Sequence, residues 1–195
     1  GRFYPDDLDT FPPAELPDRD MTFAGWIKQY WYKANPMTSP GRALIPAEII
    51  KKAGLWNEAL SLNDDFDFFT RVFMAAKQIV FNHKAVFYYR SGVNGLSGKK
   101  DKAAYLSLFN SIQYATDQAL PAYGDDPMVL KSCANMWQSF IYEVYPKHPE
   151  LTQKAQAYVD GAGGSNLPFP AGKLTAMLVR LTGWKIAKRL KNLFY

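Results

Sequence analysis

The chain has 195 residues, 48% of them apolar and 15% aromatic, and a formal net charge of +5. That length suits one large domain or two small ones with a sizeable core, and no apolar run reaches the roughly eighteen residues of a membrane span. The single cysteine, Cys133, excludes an internal disulfide and fits a reducing compartment such as the cytoplasm; with only His83 and His148 beside it, no zinc site of ordinary ligand spacing can be drawn.

Taken in order, residues 1–4 read as the end of a strand, and residues 6–20, rich in proline and acid, as an extended surface loop unlike a secretory leader. Asp6, Asp7 and Asp9 have the spacing of a metal-binding pair, but in a proline-rich loop turn chemistry is the stronger reading. Residues 22–33 predict a short amphipathic helix, with Phe23, Trp26, Ile27, Tyr30 and Trp31 on one stripe. Residues 42–45 predict a buried strand, and Pro46 opens a helix that Gly54 stops. Ser61 and Asp64 are spaced as a capping box for a central helix over about residues 64–77. Residues 79–81 and 85–89 predict two strands joined by a tight turn, and residues 90–100 a glycine-rich basic loop.

The second half changes character. Residues 102–120 have helical periodicity, ended by Pro121 and Gly124; Asp126 and Pro127 start a second helix, Pro149 a third, and a final helix covers residues 173–193. Residues 1–100 are thus expected to mix strand and helix, and residues 101–195 to be helical.

The stretch from Asn63 to Arg71 carries the chemistry. Asp64, Asp65 and Asp67 stand within four positions, ahead of a run of aromatics and one arginine. Helix-dipole stabilisation and an i,i+4 pair between Asp67 and Arg71 would account for these charges structurally. Direction suggests a division. Asp64, Asp67 and Arg71 fall on one stripe, while Asp65 points about 100° away, beside Phe69 and Val72, where apolar surroundings would raise its pKa and suit a general base. Asp65-Phe66-Asp67 has the letters of a D-x-D metal site, but residues two apart on a helix diverge, so no metal is assigned there.

Four pieces follow one another with a recognisable order and spacing. They are Ala43-Leu44-Ile45-Pro46; Ala53-Gly54-Leu55-Trp56-Asn57-Glu58-Ala59-Leu60; Asp64-Asp65-Phe66-Asp67-Phe68-Phe69-Thr70-Arg71; and Val86-Phe87-Tyr88-Tyr89-Arg90 with Asn94-Gly95-Leu96-Ser97. Over about residues 40–100 the chain resembles the acceptor half of a family 2 inverting glycosyltransferase of GT-A type. The resemblance implies an α/β fold: a partial GT-A-like mixed sheet with flanking helices over about residues 1–100, then an all-helical C-terminal region. It implies transfer of a sugar from a nucleotide-sugar donor to the hydroxyl of a saccharide or lipid-linked acceptor, as in polysaccharide biosynthesis. Asp65 matches the family's catalytic base and Asp64 its preceding acid, where aspartate replaces the usual glutamate. Asp67 and Arg71 match a structural pair. Arg90, Ser97 and Lys99 lie on a loop that would approach the donor diphosphate; a solvated turn is the other reading. Trp56 and Phe66 would floor the acceptor sugar, with core packing as the alternative.

The family's donor-binding half, with its strand-terminal D-x-D and divalent Mg or Mn, has no counterpart before Asn63. The chain is therefore expected to be the C-terminal part of a longer enzyme, inactive alone, with the metal ligands elsewhere. A partial sheet would leave an open edge able to self-associate.

From Ala171 to Tyr195 there are six basic residues and no acidic ones. Residues 173–195 interleave Leu174, Met177, Leu178, Leu181 and Trp184 with Arg180, Lys185, Lys188, Arg189 and Lys191. Such a helix would either lie peripherally on an anionic membrane, at its inner face, or pack on the rest of the domain. No basic stripe interleaved with aromatics marks the strand-containing half, so nucleic acid is not an expected partner. A non-catalytic helical interaction module is the competing functional class.

Overall fold

The computed structural model describes residues 2–3, 19–36, 38–82, 84–85, 87–90, 98 and 100–193. The acidic loop over residues 6–20, with Asp6, Asp7 and Asp9, lies almost wholly outside them, as do Ser97, Lys99, most of the basic loop, and His83 of the expected tight turn.

The expected GT-A-like mixed sheet is not formed. Among the described residues there are eight α-helices, and strand pairing is limited to β1 (Arg2–Phe3) and β2 (Tyr89–Arg90). These two run parallel, Arg2 opposite Tyr89 and Phe3 opposite Arg90. One isolated antiparallel bridge joins Met21 and Ile79. The apolar runs read as buried strands fail for a common reason: a strand needs a pairing neighbour as well as apolar side chains. Pro40–Arg42 instead takes a 3-10 turn, and Leu44 behind it is fully exposed. Val80, in the next run, is 69% exposed. Self-association through an open sheet edge loses its premise with the sheet.

The chain forms two compact units: Gly1–Trp26 with Met37–Gln118, and Ile27–Pro36 with Ala119–Tyr195. In the first, α1 (Phe23–Trp26), α2 (Ala47–Ala53), α3 (Asp64–Ala75) and the first part of α4 (Lys102–Tyr123) supply the core. Phe68, Phe69 and Val72 of α3 pack with Ile45, Ile49 and Ala53 from the α2 segment. Trp26 meets Phe73 edge-on at 4.9 Å. Pro46 stands at the N-cap of α2, one position before the first helical residue. Gly54 closes that helix at φ 83, donating its N–H to Ile50 O at 2.9 Å; a side chain is rarely tolerated at that φ.

In the second unit, a π-helical segment, Ile27–Trp31, packs on α5 (Pro127–Val144). Ile27, Trp31, Val129, Cys133, Trp137 and Ile141 are buried, and burial pushes the Cys133 thiol up to about 12. Asp126 caps α5 by accepting the Met128 N–H at 2.9 Å, with Pro127 at the first helical position. The α6 helix (Pro149–Gly161) stacks Tyr158 on Trp137 at 4.3 Å.

Two helix ends differ from the expectation. Pro121 does not stop α4, which continues to Tyr123; the proline removes one backbone hydrogen bond there, and the helix ends within three residues of it. Conversely, the single helix expected over residues 173–193 is two, α7 (Lys173–Thr182) and α8 (Trp184–Leu193), because Gly183 sits at φ 80 and breaks the run. Among the described residues no helix is long and apolar enough to cross a membrane.

Candidate functional site at the mouth of α3

The α3 helix begins at Asp64, behind Asn63 in the left-handed region at φ 61. Asparagine tolerates that conformation better than most residues. No capping box forms: Asn63 occupies the cap position and makes no side-chain cap bond. Its amide instead donates to Ser111 Oγ at 2.7 Å. Ser61 lies two residues too early, and its N–H, like that of Leu62, goes to Ser107 Oγ, at 2.8 and 2.9 Å. Two serines of α4 thus hold the segment entering α3.

The acidic first turn divides by partner. Asp64 Oδ2 accepts the Trp56 indole N–H at 2.6 Å. Asp67, 3% exposed, accepts from Arg71 Nη2 at 2.8 Å and Nε at 3.2 Å. Arg71 Nη1 also donates to Ala53 O at 2.6 Å, tying α3 to the end of α2. Its guanidinium lies over the Phe68 ring at 5.6 Å. Charge-assisted bonds of this kind are the stronger class.

Asp65 is set differently. Half-buried, its carboxyl is raised from the usual 3.8 to about 6, first by desolvation and then by the Asp64 carboxylate. Bonds from the Phe66 N–H, the Thr38 side chain and its own N–H act in the opposite sense without cancelling the rise. Thr38 lies 27 positions earlier, in a loop without a sequence signal, and was not anticipated.

Trp56 is half-buried and stacks on Phe68 at 4.2 Å, held in place by its bond to Asp64. Phe66 does not share that position. It is fully buried and neighbours Trp26 at 6.4 Å, so it belongs to the core and cannot floor a sugar. The backbone of Arg90 forms β2, and its side chain lies outside what is described. Ser97 and Lys99 lie outside it altogether.

A cleft of about 400 Å³ opens on the side of the Asp67–Arg71 pair, lined also by Leu55, Asn57, Tyr114, Asp117 and Gln118. Burial raises the pKa of Asp117, another residue not singled out from the sequence. Asp65 and Trp56 do not line this cleft, so it is not assigned as the reaction site. Among the described residues no three His, Cys, Asp or Glu side chains are grouped to hold a metal ion. Asp64 and Asp67 are each engaged by a donor of the protein, so the divalent ion implied for the intact enzyme is given no step at this site.

Comparison with protein-family models, with curated proteins and with solved structures found no match. The functional reading therefore rests on the residues of α3 and their surroundings.

Proposed function

We propose that the α3 mouth supplies the general base of a sugar transfer from a nucleotide-sugar donor to an acceptor hydroxyl, with inversion. The observation that carries this reading is the division of the first turn: Asp64 is held by Trp56 and Asp67 by Arg71, while Asp65 sits half-buried with its pKa raised to about 6. A base poised near the working pH combines an adequate ionised fraction with adequate proton affinity. As the acceptor oxygen attacks the anomeric carbon, its proton passes to the Asp65 carboxylate. The bond from that carbon to the nucleoside diphosphate breaks, and the diphosphate leaves with the electron pair. The neighbouring Asp64 raises the proton affinity of Asp65 and so favours its protonated product state. Trp56, half-buried, offers the acceptor sugar an apolar surface. Arg90, Ser97 and Lys99 keep the diphosphate-binding role implied by the resemblance. The reaction takes place in the cytoplasm, and the divalent ion implied by the resemblance is assigned no ligand in this chain.

The test is transfer from sugar nucleotides by the protein carrying this chain, wild type against Asp65→Asn. Loss of turnover in a folded variant supports the reading. Unchanged turnover removes Asp65 from the mechanism and leaves a helical interaction module as the better description.

A further inference from the structure

A leucine-rich amphipathic helix ordinarily turns its apolar stripe inward. The α7 helix does not. None of its residues is buried, and Leu174, Met177 and Leu181, at i, i+3 and i+7, are 88%, 65% and 75% exposed. On α8, Ile186 and Leu190 are 50% and 37% exposed. The α8 helix, against which α7 packs, is nevertheless anchored. Trp184 stacks with Phe169 at 5.9 Å and meets Tyr142 and Tyr145 edge-on at 4.9 and 5.2 Å. The Lys188 ammonium donates to the Tyr142 and Glu143 carbonyls at the end of α5. The outward apolar stripe of α7 therefore adjoins a fastened helix.

Charge identifies what would cover it. The six basic residues after Ala171, with no acid among them, account for the chain's net charge, and the remainder is close to neutral. Lys173, Arg180, Lys185 and Lys191 are exposed on these two helices. A second copy would bring the same cations against themselves. An anionic bilayer takes both features at once: the apolar stripe enters the headgroup boundary while the cations meet lipid phosphates. We propose that α7 and α8 form a peripheral docking surface for anionic membranes, with Leu174, Met177 and Leu181 as the inserted residues. This rests on the second unit alone and is independent of the role given to Asp65.

The experiment is co-sedimentation of the full chain with vesicles of phosphatidylcholine plus phosphatidylglycerol and with vesicles of phosphatidylcholine alone. The wild type is expected to bind the anionic vesicles at least roughly tenfold better, and to be released by salt, as the electrostatic contribution per basic residue implies. Leu174→Glu/Met177→Glu/Leu181→Glu and, separately, Arg180→Glu/Lys185→Glu/Lys191→Glu should each abolish sedimentation with unchanged circular dichroism. These side chains are exposed, so folding should survive both sets of changes. No binding to anionic vesicles, equal binding to neutral ones, or undiminished binding by the apolar-stripe variant would overturn the proposal. A wild-type dimer that the stripe variant makes monomeric, without vesicle binding, would assign the face to a second copy instead.

Discussion

The indole N–H of Trp56 donates to Asp64 Oδ2 at 2.6 Å, and this bond joins the loop after α2 to the first turn of α3. It fixes Asp64 beside Asp65 and holds the Trp56 ring over Phe68. Trp56→Phe keeps an aromatic ring but removes the donor. It is expected to destabilise the protein by about 1–3 kcal/mol in urea denaturation, the range for leaving a part-buried acceptor without its donor.

Asp65 gives a pH signature. Its folded-state pKa of about 6 stands above the usual 3.8. Between those values the folded state binds more proton than the unfolded one, so this group's contribution to stability falls as pH rises from about 4 to about 6 and then levels off. The linked free energy is at most about 3 kcal/mol. Asp65→Asn, whose amide can still accept from Thr38, should remove that slope. Near neutral pH it should be more stable than wild type by about 1–3 kcal/mol in denaturation curves collected across the pH range. A site that loses stability by keeping its charge is what a functional carboxylate predicts and an ordinary helix-capping carboxylate does not.

Arg71 has the opposite role. Its guanidinium bonds both the buried Asp67 and the carbonyl of Ala53. Arg71→Ala leaves the Asp67 charge buried and uncompensated, with an expected cost of about 3 kcal/mol or more. Asp67→Asn/Arg71→Met should cost less than Arg71→Ala alone, which a double-mutant cycle of chemical denaturation would show.

Gly54 is tied to the same arrangement. It combines φ 83 with a Cβ position 3.4 Å from Arg71 Nη1. Gly54→Ala should cost about 1–3 kcal/mol through backbone strain. Gly183, also at positive φ, has open space around its Cβ position, so Gly183→Ala reports the backbone cost alone. Because 3.4 Å is ordinary van der Waals contact, the two melting-temperature shifts should be similar, each set by its positive φ.

The start of α3 was legible in the sequence because three acids precede a dense aromatic run, and helix dipole and burial favour the same boundary. The angular separation of Asp65 from Asp67 followed from helix geometry alone. The lack of a larger sheet was not legible: the apolar run ending at Ile45 carried a strand's composition, but nothing in it could reveal that among the described residues no neighbour pairs with it. The break at Gly183 was hidden because apolar periodicity runs through it on both sides. Thr38, Ser107 and Ser111 reach the α3 mouth from far along the chain, and contacts of that kind leave no local pattern. Ile27–Trp31 and α5 are likewise partners separated by about a hundred positions.

The central claim is that Asp65 takes the acceptor proton. Turnover with sugar nucleotides, measured against pH in the protein carrying this chain, tests it most directly. The wild type should lose activity as pH falls through about 6, the value at which the carboxyl titrates. Asp65→Asn should be slower by roughly 10²-fold or more above that pH, the contribution of a positioned general base, and should lack the acid limb. An Asp65→Asn variant with wild-type turnover and the same acid limb would contradict the account.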